Sequence, residues 1–217
     1  MHYRVGPSLI RSEYTAKSMR QPSHQTVTWL RTHSNTTHAL DYGCGRLRYA
    51  VHLAPRSQSL TLVDSHQQLS RVQLLGRQRC SVIDYVDRYW PHARCVPIAT
   101  FAADSQRYSV ALCANVLSAI PEETVRARAM KLIAGKLLPR GRVLFVTQYQ
   151  NSYFEVARAR SNARPHLDGW ILDTERGSYF YGLIPRLKLE QLVEANNMMV
   201  VDSWSHNGSA YVVGSPT

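Results

Sequence analysis

The chain has 217 residues, 44% of them hydrophobic, which suits one α/β domain with a buried core. Its 26 lysines and arginines against 15 aspartates and glutamates leave a formal charge of +11, which favours anionic partners such as nucleic acid or phosphorylated substrates. The arginines are scattered, a pattern that codon bias produces as readily as a nucleic-acid surface. The charged N-terminus has no apolar core like that of a secretory signal, and no run is long and apolar enough to span a bilayer, so the expectation is a cytoplasmic protein without membrane contact. Cys44, Cys80, Cys95 and Cys113 form no C-x-x-C pair and lack histidines at zinc-ligand spacing; they read as reduced thiols, and no metal site is expected.

Residues 1–35 read as a helical lead-in to a single unit spanning 1–217, with a helix start at Pro22-Ser23 and apolar anchors at Val27, Trp29 and Leu30. Ala39 to Tyr42 is a short buried strand that runs into Gly43-Cys44-Gly45, and a helix follows through Tyr49, Val51 and Leu53. Ser59 to Asp64 is a second strand, apolar until its acidic end. The spacing of Leu69, Val72 and Leu75 predicts a helix from His66 to Arg79, and Val82 to Trp90 predicts another. Cys95 to Ile98 is a weak third strand whose proline argues for a strand end or an edge position. Tyr108 to Ala114 is a buried strand; Pro121-Glu122-Glu123 opens a helix toward Leu138, and Arg142 to Thr147 is the next strand. Residues 150–181 are polar and Arg-rich, and the stretch to 176 reads as an insertion, not sheet. A helix from Leu187 to Asn196 follows. Met198 to Trp204 and Ser209 to Val213 flank Asn207-Gly208, a strong hairpin signal. The pattern predicts a Rossmann-like three-layer sandwich: a mostly parallel seven-stranded sheet closed by a C-terminal antiparallel hairpin.

Two constellations carry chemistry. Gly43 and Gly45 follow a strand, where glycine lets the backbone turn tightly and approach a ligand without a Cβ clash. Asp64 ends the next strand, about 20 residues on, where an acid accepts hydrogen bonds from ribose hydroxyls. Arg48 stands where a dinucleotide fingerprint needs its third glycine. Asp41, two residues before the first glycine, suits a cationic ligand.

Ala39-Leu40-Asp41-Tyr42-Gly43-Cys44-Gly45, Leu62-Val63-Asp64, the run from Tyr108 to Pro121 and Leu138-Pro139-Arg140-Gly141-Arg142-Val143-Leu144 resemble the ordered motifs of the class I S-adenosylmethionine-dependent methyltransferases. The resemblance covers residues 36–215 and implies S-adenosyl-L-methionine as cofactor. It implies that Gly43 and Gly45 wrap the methionyl part with Asp41 beside it, that Asp64 holds the ribose, and that Asn115 and Val116 line the pocket by the transferred methyl. The third glycine is missing, Ser109 stands where an aspartate is common, and only Asp104 offers itself as the acid after the third strand.

The acceptor is less legible. Asn115-Val116-Leu117-Ser118 lacks the prolines of amino-directed DNA methyltransferases, and Cys113 lacks the preceding proline of a cytosine-C5 nucleophile. Small molecules, RNA and protein side chains stay open, as does a catalytically silent Rossmann-like domain that binds nucleic acid or a protein partner. His166, Asp168 and Tyr181, with Tyr149 and Tyr179, are the candidate catalytic groups in or near the insertion. Arg158, Arg160, Arg164 and Arg176, among Tyr153, Trp170, Tyr179 and Tyr181, suggest a substrate cap that grips an anionic acceptor.

Overall fold

The computed structural model describes residues 2–150, 155–156, 158–175 and 177–217. Its elements run β1 (His2–Val5), β2 (Ser8–Arg11), α1 (His24–His33), β3 (Thr36–Tyr42), α2 (Ala50–Leu53), β4 (Ser57–Asp64), α3 (His66–Ser70), β5 (Gln73–Leu75) and β6 (Gln78–Cys80). There follow α4 (Val82–Tyr89), β7 (Ala93–Pro97), α5 (Ile98–Phe101), β8 (Tyr108–Ala114), α6 (Glu123–Lys136), β9 (Leu137–Gln148), β10 (Ala163–His166), β11 (Gly169–Thr174), β12 (Gly177–Gly182), α7 (Arg186–Glu194), β13 (Met198–His206) and β14 (Ser209–Pro216).

The seven-stranded sheet has the order β13-β14-β9-β8-β3-β4-β7. Strands β7, β4, β3, β8 and β9 are parallel, and the hairpin β13–β14, turning at Asn207-Gly208, adds the antiparallel edge. The central strands are apolar on both faces because both are covered: Ala39 packs toward Leu30, Leu53 and Val86 on α1, α2 and α4, while Leu40 packs toward Met130, Ile133 and Val193 on α6 and α7. Cys113 is a core residue of β8 and fully buried. Chain order reverses beside β3, with β4 on one side and β8 on the other, so a crevice opens at the carboxyl ends of these strands. Among the described residues, no helix is long and apolar enough to cross a membrane.

Three expectations need correction. The lead-in is helical in α1 and in a 3-10 turn at Ser12–Thr15, while residues 2–11 form the hairpin β1–β2. The insertion contains sheet: β10, β11 and β12 pair antiparallel, and β12 joins β2 through Ser178 and Ile10, giving a five-stranded sheet β1-β2-β12-β11-β10. Its apolar residues are few and alternate, as in a half-solvated strand, so Tyr3, Ile10, Ile171 and Phe180 bury themselves only once the two distant segments meet over Ile120. The helix after β4 ends at Ser70, and the hairpin β5–β6 follows around Gly76 at φ 60°. Leu69 and Leu75 are buried, but Val72 between them is 63% exposed, so the helical spacing was a coincidence of two separate contacts.

The second sheet is fastened to the main one by a buried ion pair. Arg126 of α6 is 1% exposed and donates from Nη1 and Nη2 to both carboxylate oxygens of Asp168, at 2.6 and 2.8 Å. Its Nε donates to the Ile120 carbonyl at 2.8 Å, and Lys188 of α7 reaches Asp168 Oδ2 at 3.0 Å. Asp168→Ala leaves a buried guanidinium without its partner and is expected to lower unfolding stability by about 3 kcal/mol in urea titration; a loss under about 1 kcal/mol shows that the fastening does not hold the sheets together.

Candidate functional site

The turn after β3 is shaped by contact with the segment after β8. Gly43 has φ 79°, and a Cβ there would lie 2.2 Å from Val116 Cγ2. Gly43 and Cys44 both donate their N–H groups to the Val63 carbonyl, at 2.7 and 3.1 Å, which draws the turn across the end of β4. Gly45 at φ 53° has room around it: its nearest neighbour for an added Cβ is Ala16 at 3.5 Å. The cost of a side chain there comes from the backbone, not from crowding.

Asp64 ends β4 beneath this turn. Its Oδ2 accepts from Gly45 N–H at 2.9 Å and its Oδ1 from Ser65 N–H at 2.7 Å. Asp41 lies alongside on β3, 3% exposed. Burial pushes the Asp41 carboxyl up to about 7, with the Asp64 charge adding to the effect. Burial also raises Asp64, although its two backbone hydrogen bonds and the Arg71 charge pull the other way. The crevice floor thus holds two buried acids, while Lys17, Arg46 and Arg48 stand elsewhere in its lining. Asn115, at φ 60°, closes the far side: its N–H donates to the Val146 carbonyl at 2.7 Å, and its buried Oδ1 has no partner.

These residues line one cleft of about 830 Å³, its open mouth included, in which Asp41, Gly43, Gly45, Asp64, Asn115 and Val116 all meet. Composition and periodicity did not point to its roof, which is Tyr3 with Ser12, Glu13, Thr15, Ala16 and Lys17. The available signal was Glu13, the sole acid before Asp41 in a basic lead-in. It is 4% exposed, and its Oε1 meets His2 Nε2 at 2.9 Å. Burial works to raise Glu13, but its hydrogen bonds to its own backbone and to His2 outweigh it and hold the carboxyl low. Ile98, just past β7, supplies an apolar wall, and Gln68 of α3 donates to the Gly45 carbonyl at 2.6 Å.

The candidate catalytic groups are dispersed. His166 Nε2 lies 2.8 Å from the Pro121 carbonyl, its ring edge-on to Phe180, and Asp168 is held in the Arg126 pair. Burial raises Asp168, yet the Arg126 hydrogen bond and charge outweigh it and keep the carboxyl low. Neither lines the cleft. Tyr181 does approach it, in a small hollow shared with Lys17, Asn115, Ser118 and Gln148. Tyr149 packs against the core. Asp104 is paired with Arg94 at 2.6 Å, away from the cleft, and Ser109 bonds the His38 carbonyl at the opposite end of its strand. Of the cap arginines, Arg158 pairs with Glu155 and Arg164 with Asp173; neither these nor Arg160 line the cleft. Arg176 and Tyr153 lie outside the described residues.

No protein-family model matches the chain. It is 34% identical over 216 residues to the uncharacterized protein YmfD of Escherichia coli K12, covering 99% of this chain and 96% of that one. The chain belongs to the YmfD family. Its fold is that of the class I S-adenosylmethionine-dependent methyltransferases. A DhpI–SAM–HEP complex matches with TM-score 0.65 and 12% identity, over 94% of this chain and 92% of that one. The 1,6-didemethyltoxoflavin-N1-methyltransferase of Burkholderia thailandensis, solved with 1,6-didemethyltoxoflavin and S-adenosylhomocysteine, matches with TM-score 0.61 and 17% identity, over 94% and 80%. In this YmfD-family chain the six residues named from the sequence converge at the carboxyl ends of β3, β4 and β8.

Two outcomes follow for the ligand-free protein. Gly43→Ala is expected to cost at least about 2 kcal/mol from the clash and the positive φ, and Val116→Ala in the same chain to recover part of it; denaturant melts of the double-mutant cycle measure the coupling, and strict additivity refutes the contact. Asp41 holds, when folded, a proton that the unfolded chain has released, so between the ordinary carboxyl range and about pH 7 stability falls as pH rises. Asp41→Asn is expected to flatten the fall in Tm between about pH 5 and about pH 8.

Proposed function

We propose that this protein is an S-adenosylmethionine-dependent methyltransferase and that the cleft beneath Gly43 and Gly45 is its cofactor site. The observation that carries the reading is the buried acid pair at the glycine turn. Burial raises the proton affinity of both carboxyls, the Asp64 charge raises that of Asp41 further, and such a buried pair is costly unless a cation or hydrogen-bond donors complete it. A nucleoside with a cationic amino-acid tail brings both: an ammonium for Asp41 and ribose hydroxyls for the lone pairs of Asp64 that Gly45 and Ser65 leave open. The unpartnered Asn115 Oδ1 offers a further acceptor, and Ile98 an apolar wall for a base. The residues present therefore fit the group.

Bound there, S-adenosylmethionine supplies an electrophilic methyl on a sulfonium. The chain's own contribution is positioning. The glycine turn and Asp64 fix the nucleoside end, while Asn115 and Val116 set the opposite limit of the cleft. The hollow of Ser118, Gln148 and Tyr181 continues from Asn115 and holds the acceptor's reacting atom. Asp168 and His166 are committed to contacts that join the two sheets, which leaves Tyr181 the one sequence candidate placed to exchange a proton with an acceptor. In this reading the whole chain works as one unit, with β10–β12 and the N-terminal hairpin as the cap.

Isothermal titration with S-adenosylhomocysteine tests the site. Asp64→Ala is expected to weaken binding by about 1.5 to 3 kcal/mol, the range for hydrogen bonds to a charged group. Binding is also expected to tighten as pH rises toward about 7, because Asp41 must lose its proton to meet an ammonium. Affinity unchanged by the substitution in a folded protein refutes the ribose assignment.

A further inference from the structure

Lys17 and Asn115 each line three adjoining spaces: the acidic cleft, the Ser118–Tyr181 hollow, and a groove of about 700 Å³ between α1 and the β13–β14 turn. The cleft carries Glu13, Asp41 and Asp64 beside Lys17, Arg46 and Arg48, whereas the groove carries cations alone. Its walls carry Lys17, Arg48, His24 and His206, with no aspartate or glutamate among the described lining residues. The Lys17 ammonium is bound to a neutral group, Gln148 Oε1, at 2.6 Å. Arg48 donates to a neutral group as well, the Gln21 carbonyl, and its buried Nε has no partner. The remaining lining is rich in hydrogen-bonding groups, with Ser23 Oγ and the Tyr211 hydroxyl 2.8 Å apart.

Two cations side by side with only neutral partners are costly to assemble. The strain is visible in Lys17, whose ammonium is brought down to about 8 by burial and by the Arg48 charge. An anion between them relieves it, since a guanidinium and an ammonium both bind oxyanions through charge-assisted hydrogen bonds. The groove reaches the cofactor cleft at Lys17 and Asn115, next to where the acceptor's reacting atom must lie.

We infer that this groove is the acceptor-recognition site and that the acceptor is a small molecule bearing a carboxylate or phosphate, held by Lys17 and Arg48 while its nucleophilic atom reaches past Asn115. The assignment rests on the methyltransferase reading and names the substrate class for it. It moves the anion site from the cap arginines to the lead-in and the glycine turn. Small size follows from the passage: Thr15, Lys17 and Tyr181 stand around the hollow next to Asn115, so only a slender reacting group reaches it from the groove.

The test uses the full chain saturated with S-adenosylhomocysteine and titrates phenyl phosphate and benzoate by calorimetry at low ionic strength. Saturable binding of at least one is expected, weakening with added salt. His24→Glu sets a carboxylate in the groove wall at the first residue of α1, where an acid favours the helix, so the variant is expected to keep its Tm. It is expected to raise the dissociation constant of the bound probe at least tenfold and to leave that of S-adenosylhomocysteine within twofold. Arg48→Gln is expected to weaken the probe as strongly. No saturable binding of either probe to the S-adenosylhomocysteine complex overturns the assignment, as does equal binding by wild type and His24→Glu. A single-stranded oligonucleotide that binds more tightly than both probes and is weakened by His24→Glu overturns the small-molecule class. Failure of S-adenosylhomocysteine to bind the wild-type protein overturns instead the reading beneath it.

Discussion

Two carboxyl groups buried at the ends of adjacent parallel strands set the terms for everything around them. Asp41 is the penultimate residue of β3 and Asp64 the last of β4, and parallel pairing puts them at the same edge. The turn above cannot relax away from them, because its N–H groups are tied to Val63 and its backbone is pressed against Val116. Gly43 is therefore required twice, for its φ and for its missing Cβ. The Asp64 charge raises the proton affinity of Asp41, and the fold gives Asp64 the Gly45 and Ser65 N–H groups and the nearby Arg71 charge. The proposed cofactor, cationic and hydroxyl-bearing, suits such a site.

The architecture spends a second sheet on enclosing that site. Neither the N-terminal hairpin nor the β10–β12 meander has enough apolar surface to fold alone, and each supplies the other's missing face through Ile10, Ile171 and Phe180. Arg126 then joins this layer to the main sheet. Each guanidinium nitrogen has a partner, Nη1 and Nη2 on Asp168 and Nε on the Ile120 carbonyl, and the group lies 5.5 Å from the Phe180 ring centre. The arrangement brings residues 12–17 over the glycine turn, where they roof the cleft and carry Lys17 to its junction with the groove.

The two fields then lie in series. The cleft is acidic at its floor, and the groove beyond Asn115 is basic. The two spaces share Lys17, Arg48, Tyr49 and Asn115, so the proposed cofactor and acceptor sites adjoin along that wall. The net charge of +11 supplies part of this contrast, and the local placement of Lys17 and Arg48 decides where it acts.

Local chemistry in the sequence determined the strand order's essentials, the glycine turn, the acid at the end of β4, the Asn115 segment and the closing Asn207-Gly208 hairpin. Each is written in short-range pattern: strands buried on both faces read as unbroken apolar runs, and turns need particular residues. The second sheet was decided only by tertiary structure, because its strands are short, polar on one side and paired across more than 160 residues, as in Ser178 with Ile10. The same holds for the roles of His166 and Asp168, since a histidine or an aspartate reads alike as a base or as a fastener until its partner is in view. Lys17 and Arg48 carry no local signal among many basic residues. What distinguishes them is a shared groove without a carboxylate among its described lining residues, and that is a property of the assembled surface, not of the chain.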